Sequence, residues 1–356
     1  MRIIKRKAGM AASILGISAL VLSGCGAAPE ASTSSSSAPT VDYTACMVSD
    51  EGGFDDKSFN QASYEGLVKA QTDLGVKINK AESNSATDMK PNIESMVSAG
   101  CDIVATAGFN IGDATLEAAK KYPEVNFAIV DYGYKTLPAN LRSLSYNTDE
   151  AAFLAGYSAA AYSKTGKVGT FGGAEIPTVT IFMEGFLQGV NHFNEVKNKD
   201  VKVVGWGSSK SFVNDFTDTV KARQISDNLL ADGVDVIMPV AGPLGQTAVD
   251  AVNESASTTD AVVWVDTDGF DYAKNGKDAV LTSVIKEMGK TVEESIEMGL
   301  NDKFKSEAYV GTLSNGGVSL SPFHNFADKV PADLQSEVDA LKQDIIDGKI
   351  KMSAAK

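Results

Sequence analysis

Tyr43-Thr44-Ala45-Cys46-Met47-Val48-Ser49, the turn Gly52-Gly53, and Asp55-Asp56-Lys57-Ser58-Phe59-Asn60-Gln61 form the stretch on which the fold depends. The first seven residues are a short apolar run of strand length, the glycine pair breaks it, and the polar run opens a helix over Phe59–Leu74. Working outward, the same alternation recurs: strand Val76–Ala81, helix Asp88–Ala99, strand Ile103–Ala107, helix Gly112–Lys121, strand Asn126–Val130 and a short strand at Leu141–Tyr146. A second series follows helix Glu150–Tyr162: strand Lys167–Phe171, helix Val179–Asn194, strand Lys202–Gly205, helix Phe216–Ala231, strand Val236–Pro239, helix Gly245–Ser255 and strand Ala261–Val265. Repeated βαβ units predict an α/β protein with two doubly wound parallel sheets in tandem, whose chemistry gathers at the carboxyl ends of the strands.

The remaining segments are too few for a third lobe: strand Ala279–Val284, helix Gly289–Leu300, a polar stretch around Gly311–Ser321 and helix Ala332–Asp347. They are placed by letting the chain cross between lobes near Tyr146–Glu150, Thr267–Lys277 and Thr312–Ser319. The expected first lobe is then 41–147 plus 279–312 and the second 148–278 plus 313–356. Three crossovers make a hinge over a cleft.

The chain has 356 residues, 46 Asp and Glu against 32 Lys and Arg, and a net charge of −14. Four of the basic residues, Arg2, Lys5, Arg6 and Lys7, precede the apolar run Ala8–Leu22, which is short for a permanent span and reads as a secretory signal over residues 1–24. Its removal leaves the chain more acidic still, which argues against nucleic-acid binding. The run closes on Leu22-Ser23-Gly24-Cys25, which resembles a bacterial lipoprotein signal and implies a lipid on Cys25, a membrane anchor and an extracytoplasmic address. Residues 25–40, rich in Ser, Ala, Thr and Pro, read as a disordered tether. Cys46 and Cys101 each lie in apolar sequence and are expected as buried free thiols. His192 and His324 are the two histidines and neither is near a cysteine, so a metal site has no support.

The polar run Asp55–Gln61 would face the cleft with the unsatisfied N–H groups of a helix start, although a capping acid beside a solvated one explains it as well. Phe59 is a ring beside groups able to bond a heteroatom edge. Phe182, following Gly172-Gly173-Ala174-Glu175-Ile176-Pro177 in the other series, is a second ring able to sandwich a flat heterocycle, an arrangement worth roughly 1–3 kcal/mol per base in single-strand binders. Asp131 and Asp266 end apolar strands, with Asp268 close behind, and strand-end carboxylates suit the vicinal hydroxyls of a sugar. Asp268-Gly269 is also a turn signal. Lys286 ends another apolar run and would neutralise one of the acids, while Gly242 after Val236–Pro239 leaves backbone open to a ligand. No phosphate-binding Gly-Lys-Ser/Thr loop follows Gly242, no dinucleotide fingerprint opens either series, and no Ser/His/Asp or Cys/His set can be assembled, so no cofactor is expected and binding is favoured over catalysis.

Asp56-Lys57-Ser58-Phe59-Asn60-Gln61 with Glu65-Gly66, Glu184-Gly185-Phe186 with Gly189, and Leu281-Thr282-Ser283-Val284-Ile285-Lys286 together resemble the basic membrane protein family of bacterial lipoproteins, over Tyr43 to about Ile350. The best-understood members are purine-nucleoside receptors that feed ABC transporters. The resemblance implies a type I periplasmic-binding-protein fold closing on a nucleoside, with permease subunits as partners. By position it implies Asp56 and Asn60 on the purine edge, Phe59 and Phe182 on its faces, and Asp131, Gly242, Asp266 and Lys286 on the ribose, with Asp55 or Asp268 able to replace its neighbour. Pro243-Leu244-Gly245 departs from a glycine-richer stretch of many relatives. A sugar receptor of the same fold is the alternative.

Overall fold

The computed structural model describes residues 41–353; the expected signal 1–24, Cys25 and the tether lie outside the described residues. The first sheet takes β1 (Thr44–Ser49), β2 (Lys77–Glu82), β3 (Ile103–Ala107), β4 (Asn126–Val130) and β5 (Leu141–Tyr146), linked by α1 (Phe59–Leu74), α2 (Ala86–Ser98) and α3 (Gly112–Lys121). The second takes β6 (Lys167–Gly172), β7 (Lys202–Val204), β8 (Val236–Val240), β9 (Ala261–Asp266) and β10 (Val280–Lys286), with α4 (Thr148–Tyr162), α5 (Pro177–Lys197), α6 (Thr219–Ala231), α7 (Gly245–Glu254) and α8 (Gly269–Tyr272). Then come α9 (Met288–Leu300), β11 (Ala308–Gly311), β12 (Val318–Leu320) and α10 (Leu334–Ile346).

The strand orders are β2-β1-β3-β4-β5-β11 and β7-β6-β8-β9-β10-β12, the same winding twice. Every pairing is parallel except β12 on β10. Strands such as β3, β8 and β9 are buried along their whole length, as sheets covered on both faces require. In each sheet the order reverses beside the first strand, which opens a crevice at the carboxyl ends of β1 and β3 in one lobe and of β6 and β8 in the other.

Two corrections to the expected organisation follow. β10 pairs with β9 in the second sheet, and α9 then packs on α1 in the first lobe, so residues 279–286 do not belong to the first lobe and the middle crossing lies at Glu287, not within Thr267–Lys277. A continuous apolar strand carries no mark of which sheet it joins. The other two crossings fall within the expected spans, and the three segments bond to one another: Asn147 N–H donates to Gly311 O at 2.8 Å and Glu287 N–H to Gly317 O at 3.0 Å.

The second correction concerns the cysteines. Cys46 and Cys101 are buried as expected but form a disulfide, with Cα atoms 6.0 Å apart. The chain passes from β1 to β2 on one side before returning to β3 on the other, so β1 and the entry to β3 become neighbours only when the sheet forms.

The glycines of the motif stretches have a packing reason. A Cβ on Gly66 would lie 2.1 Å from Gly289 O, and one on Gly189 would lie 1.9 Å from Phe153 O, so α1 meets α9 and α5 meets α4 at backbone contact.

Candidate functional site

The carboxyl ends of both sheets face each other across a half-enclosed slot of roughly 600 Å³, part of it open to solvent, a size suited to a small organic ligand. Its wall contains eight of the nine predicted site residues: Asp56, Phe59, Asn60 and Asp131 from the first lobe, Phe182, Gly242, Asp266 and Lys286 from the second.

Lys286 holds one end. Its Nζ lies 2.6 Å from Asp131 Oδ2 and 3.0 Å from Asp266 Oδ1, and all three side chains are almost fully buried. Burial favours the neutral amine, but the two carboxylates outweigh it and keep Lys286 above its ordinary value. Burial raises the Asp131 carboxyl, and Lys286 only partly offsets that. Asp266 Oδ2 also accepts from Ser58 Oγ at 3.1 Å, so the cluster bridges the lobes. The Lys286 ammonium sits 4.6 Å from the centre of the Phe59 ring and 5.3 Å from that of Phe182, so a ring from each lobe lies beside the same charged group.

At the start of α1, Asp56 accepts from the backbone N–H of Ser58, Asn60 and Gln61, each at 2.9 Å. Both of its oxygens are therefore committed to the helix start, the capping role the sequence allowed. Burial raises its carboxyl while these three donors pull the other way. Asn60 donates from Nδ2 to Glu51 O at 3.3 Å and to Asp50 Oδ1 at 3.5 Å, leaving its buried Oδ1 with no hydrogen-bond partner.

Two expected alternatives do not line the slot. Asp55 is exposed and pairs with Lys57, away from the slot. Asp268 is not on the slot wall: it caps α8 through Phe270 N–H at 3.1 Å, accepts from Ser283 Oγ at 3.2 Å and pairs with His324 Nε2 at 2.7 Å. The Asp-Gly turn carries the chain away from the strand end immediately after Asp266.

Asp50, Phe109, Asn110 and Phe216 also line the slot, and sequence reasoning missed them. Asp50 follows β1 as Asp131 follows β4, so the strand-end rule applied equally, but the acid pair downstream drew the reading to itself. Phe216 was placed inside a helix; α6 begins only at Thr219, which frees the ring to face the slot.

Residues 43–356 match the Bmp family, described as ABC transporter substrate-binding protein PnrA-like. The "ABC transporter nucleoside-binding protein BmpA" of Lactococcus lactis subsp. cremoris is 34% identical over 349 residues, covering 94% of this chain and 95% of its own. The "CD4+ T-cell-stimulating antigen" of Listeria monocytogenes is 32% identical over 364 residues, 98% of each chain. "Basic membrane protein A" of Borreliella burgdorferi is 30% identical over 305 residues, 84% of this chain and 85% of its own. Among solved structures, an ABC transporter solute-binding protein from Aeropyrum pernix K1 superposes with a TM-score of 0.80 at 23% identity, over 88% of this chain and 93% of that one, a likeness of fold. The architecture is the type I periplasmic-binding-protein fold, and the chain belongs to the Bmp family of ABC transporter substrate-binding proteins.

Proposed function

We propose that the slot binds a purine nucleoside for delivery to the membrane subunits of an ABC importer. The observation that carries this reading is the pair of rings, Phe59 and Phe182, contributed by opposite lobes to one slot that ends in the Asp131–Lys286–Asp266 cluster. In this reading the base lies between the rings, and the pentose hydroxyls meet Asp131, Asp266, Lys286 and the backbone at Gly242. Asn60, with its unpartnered carbonyl, and Asp50 face the base edge, and Asp56 holds the helix that carries Phe59 and Asn60.

The charge of the wall favours an uncharged ligand. Glu51, Asp56, Asp131 and Asp266, joined by Asp50 when it is ionised, stand against the single cation Lys286 among the lining residues, so a phosphorylated ligand would be repelled. The name of the Lactococcus relative supports the nucleoside class. The reading includes no catalytic step, since opening and closing of the lobes is the whole cycle.

Mass spectrometry of the small molecule released on denaturing the purified protein tests the assignment, with a purine nucleoside expected. In competition, ribose or galactose displacing a bound probe as well as adenosine, guanosine or inosine would replace the nucleoside reading by the sugar reading. A 2′-deoxynucleoside should bind more weakly by about 1–3 kcal/mol, the cost of an unmet polar group. We also propose that a lipid on Cys25 holds the chain at the extracytoplasmic face of the membrane; Cys25→Ala should release it to the medium and abolish labelling by a palmitate analogue.

A further inference from the structure

Asp50 differs from Asp56, Asp131 and Asp266 in how little holds its charge. Asp131 and Asp266 share Lys286, and Asp56 takes three backbone N–H groups. Asp50 receives one long bond, 3.5 Å from Asn60 Nδ2, and no cation pairs with it among the described residues. The charged groups facing it are all acids: its neighbour Glu51, Asp56 ahead of α1 and Asp131 after β4; α1 contributes the neutral Asn60 and the end of β3 contributes Gly108. The carboxylate lies against the backbone of Gly108, where φ is +119° and a Cβ would come within 1.8 Å of Asp50 Oδ2. That contact holds it at the slot wall, beside the free Oδ1 of Asn60.

We propose, building on the nucleoside reading, that Asp50 selects the base by its proton: ionised, it accepts the N1–H of a 6-oxopurine, and protonated, it donates to the bare N1 of a 6-aminopurine. The two base edges are inverted at these positions. A 6-oxopurine offers a donor at N1 and an acceptor at C6, whereas a 6-aminopurine offers an acceptor at N1 and a donor at C6. A carboxylate only accepts, and a carboxylic acid adds one donor beside an acceptor. Asn60 Oδ1 only accepts, so it can take an N–H where the base carries an amino group, which inosine lacks, and the contact at N1 that separates the two classes is left to Asp50. Burial above all pushes the Asp50 carboxyl up to about 8; the hydrogen bond from Asn60 pulls the other way, and the like charges of Glu51, Asp56 and Asp131 add to the rise, so both forms are populated near neutral pH.

The test is calorimetry of the mature protein with adenosine and with inosine from about pH 6 to about pH 8.5. The ratio of adenosine to inosine affinity should fall by up to about tenfold per pH unit, since it follows the ratio of protonated to ionised Asp50. Titration of the ribose-end cluster affects both ligands and cancels in the ratio. Asp50→Asn, which keeps a donor and an acceptor at every pH, should make the ratio of adenosine to inosine affinity independent of pH and weaken inosine. A ratio that changes by less than about twofold over this range, or an Asp50→Asn protein that keeps the wild-type pH dependence, would overturn the selector and leave the nucleoside reading standing. Failure of both nucleosides to bind at any pH would overturn that reading and the selector with it.

Discussion

Asp131 and Asp266 end equivalent strands of the two sheets, both in the left-handed backbone region with φ of 66° and 72°, and both close on the one ammonium of Lys286. Asp131 belongs to the first lobe and the other two residues to the second, so the cluster ties the lobes together at one end of the slot. A non-glycine residue in that region costs roughly 1–2 kcal/mol, least for Asp and Asn, and the cost recurs at both strand ends.

Lys286→Met leaves two buried carboxylates facing each other. Breaking a buried pair this way costs about 3–5 kcal/mol. The variant should melt well below wild type at neutral pH. Without the ammonium, the burial that raises the folded-state Asp131 carboxyl is no longer offset, so stability falls as pH rises through it and is recovered on acidification. Thermal melts at two pH values check this; an unchanged neutral-pH midpoint would refute it.

The two rings separate binding from folding. Phe182 is 1% exposed, so its loss opens the core, and Phe182→Ala should cost about 3–5 kcal/mol of stability as well as affinity. Phe59 is partly exposed to the slot, and Phe59→Ala should leave the melt of the unliganded protein nearly intact while weakening adenosine and inosine alike by about 1–3 kcal/mol. A loss confined to one base in the titrations would argue against stacking.

Outside the slot, Tyr272 on α8 donates its hydroxyl to Glu65 Oε2 on α1 at 2.5 Å, a bond between lobes whose two residues do not line the slot. Tyr272→Phe should shift the population toward the open form and weaken every ligand by the same factor, about twofold to tenfold, from the roughly 0.5–1.5 kcal/mol of such a bond. Small-angle scattering of the unliganded variant should report a larger radius of gyration. Ligand-dependent losses would show that Tyr272 acts on the site instead.

The Cys46–Cys101 bond crosslinks positions 55 residues apart in sequence. Replacing both residues by alanine should lower unfolding stability by about 2–4 kcal/mol, mainly by releasing the unfolded chain. Thiol titration of the denatured protein without reductant should find neither cysteine free, and a reductant should lower the melting midpoint. Two titratable thiols would restore the free-cysteine reading.

Much of the site was legible because strand ends are legible. Asp131, Asp266 and Lys286 each close an apolar run, and a parallel sheet sends such residues to one edge whatever the strand order. Asp56 was visible only as a pair with Asp55; which of the two turns inward depends on the helix start that one of them caps. Asp268 was drawn in by its nearness to Asp266, and a single turn after the strand end removes it to a contact with His324.

Residue order by itself determined the α/β class, the two windings and the strand-end acids, because apolar run length, turn residues and helical periodicity are local properties. Only the tertiary structure decided that β10 joins the second sheet, that two distant cysteines bond, that Asp131 and Asp266 share Lys286, and that Asp50 shares with no cation among the described residues. Each of these depends on which segments become neighbours in space, and hydrogen bonding between strands places segments side by side without regard to their distance along the chain.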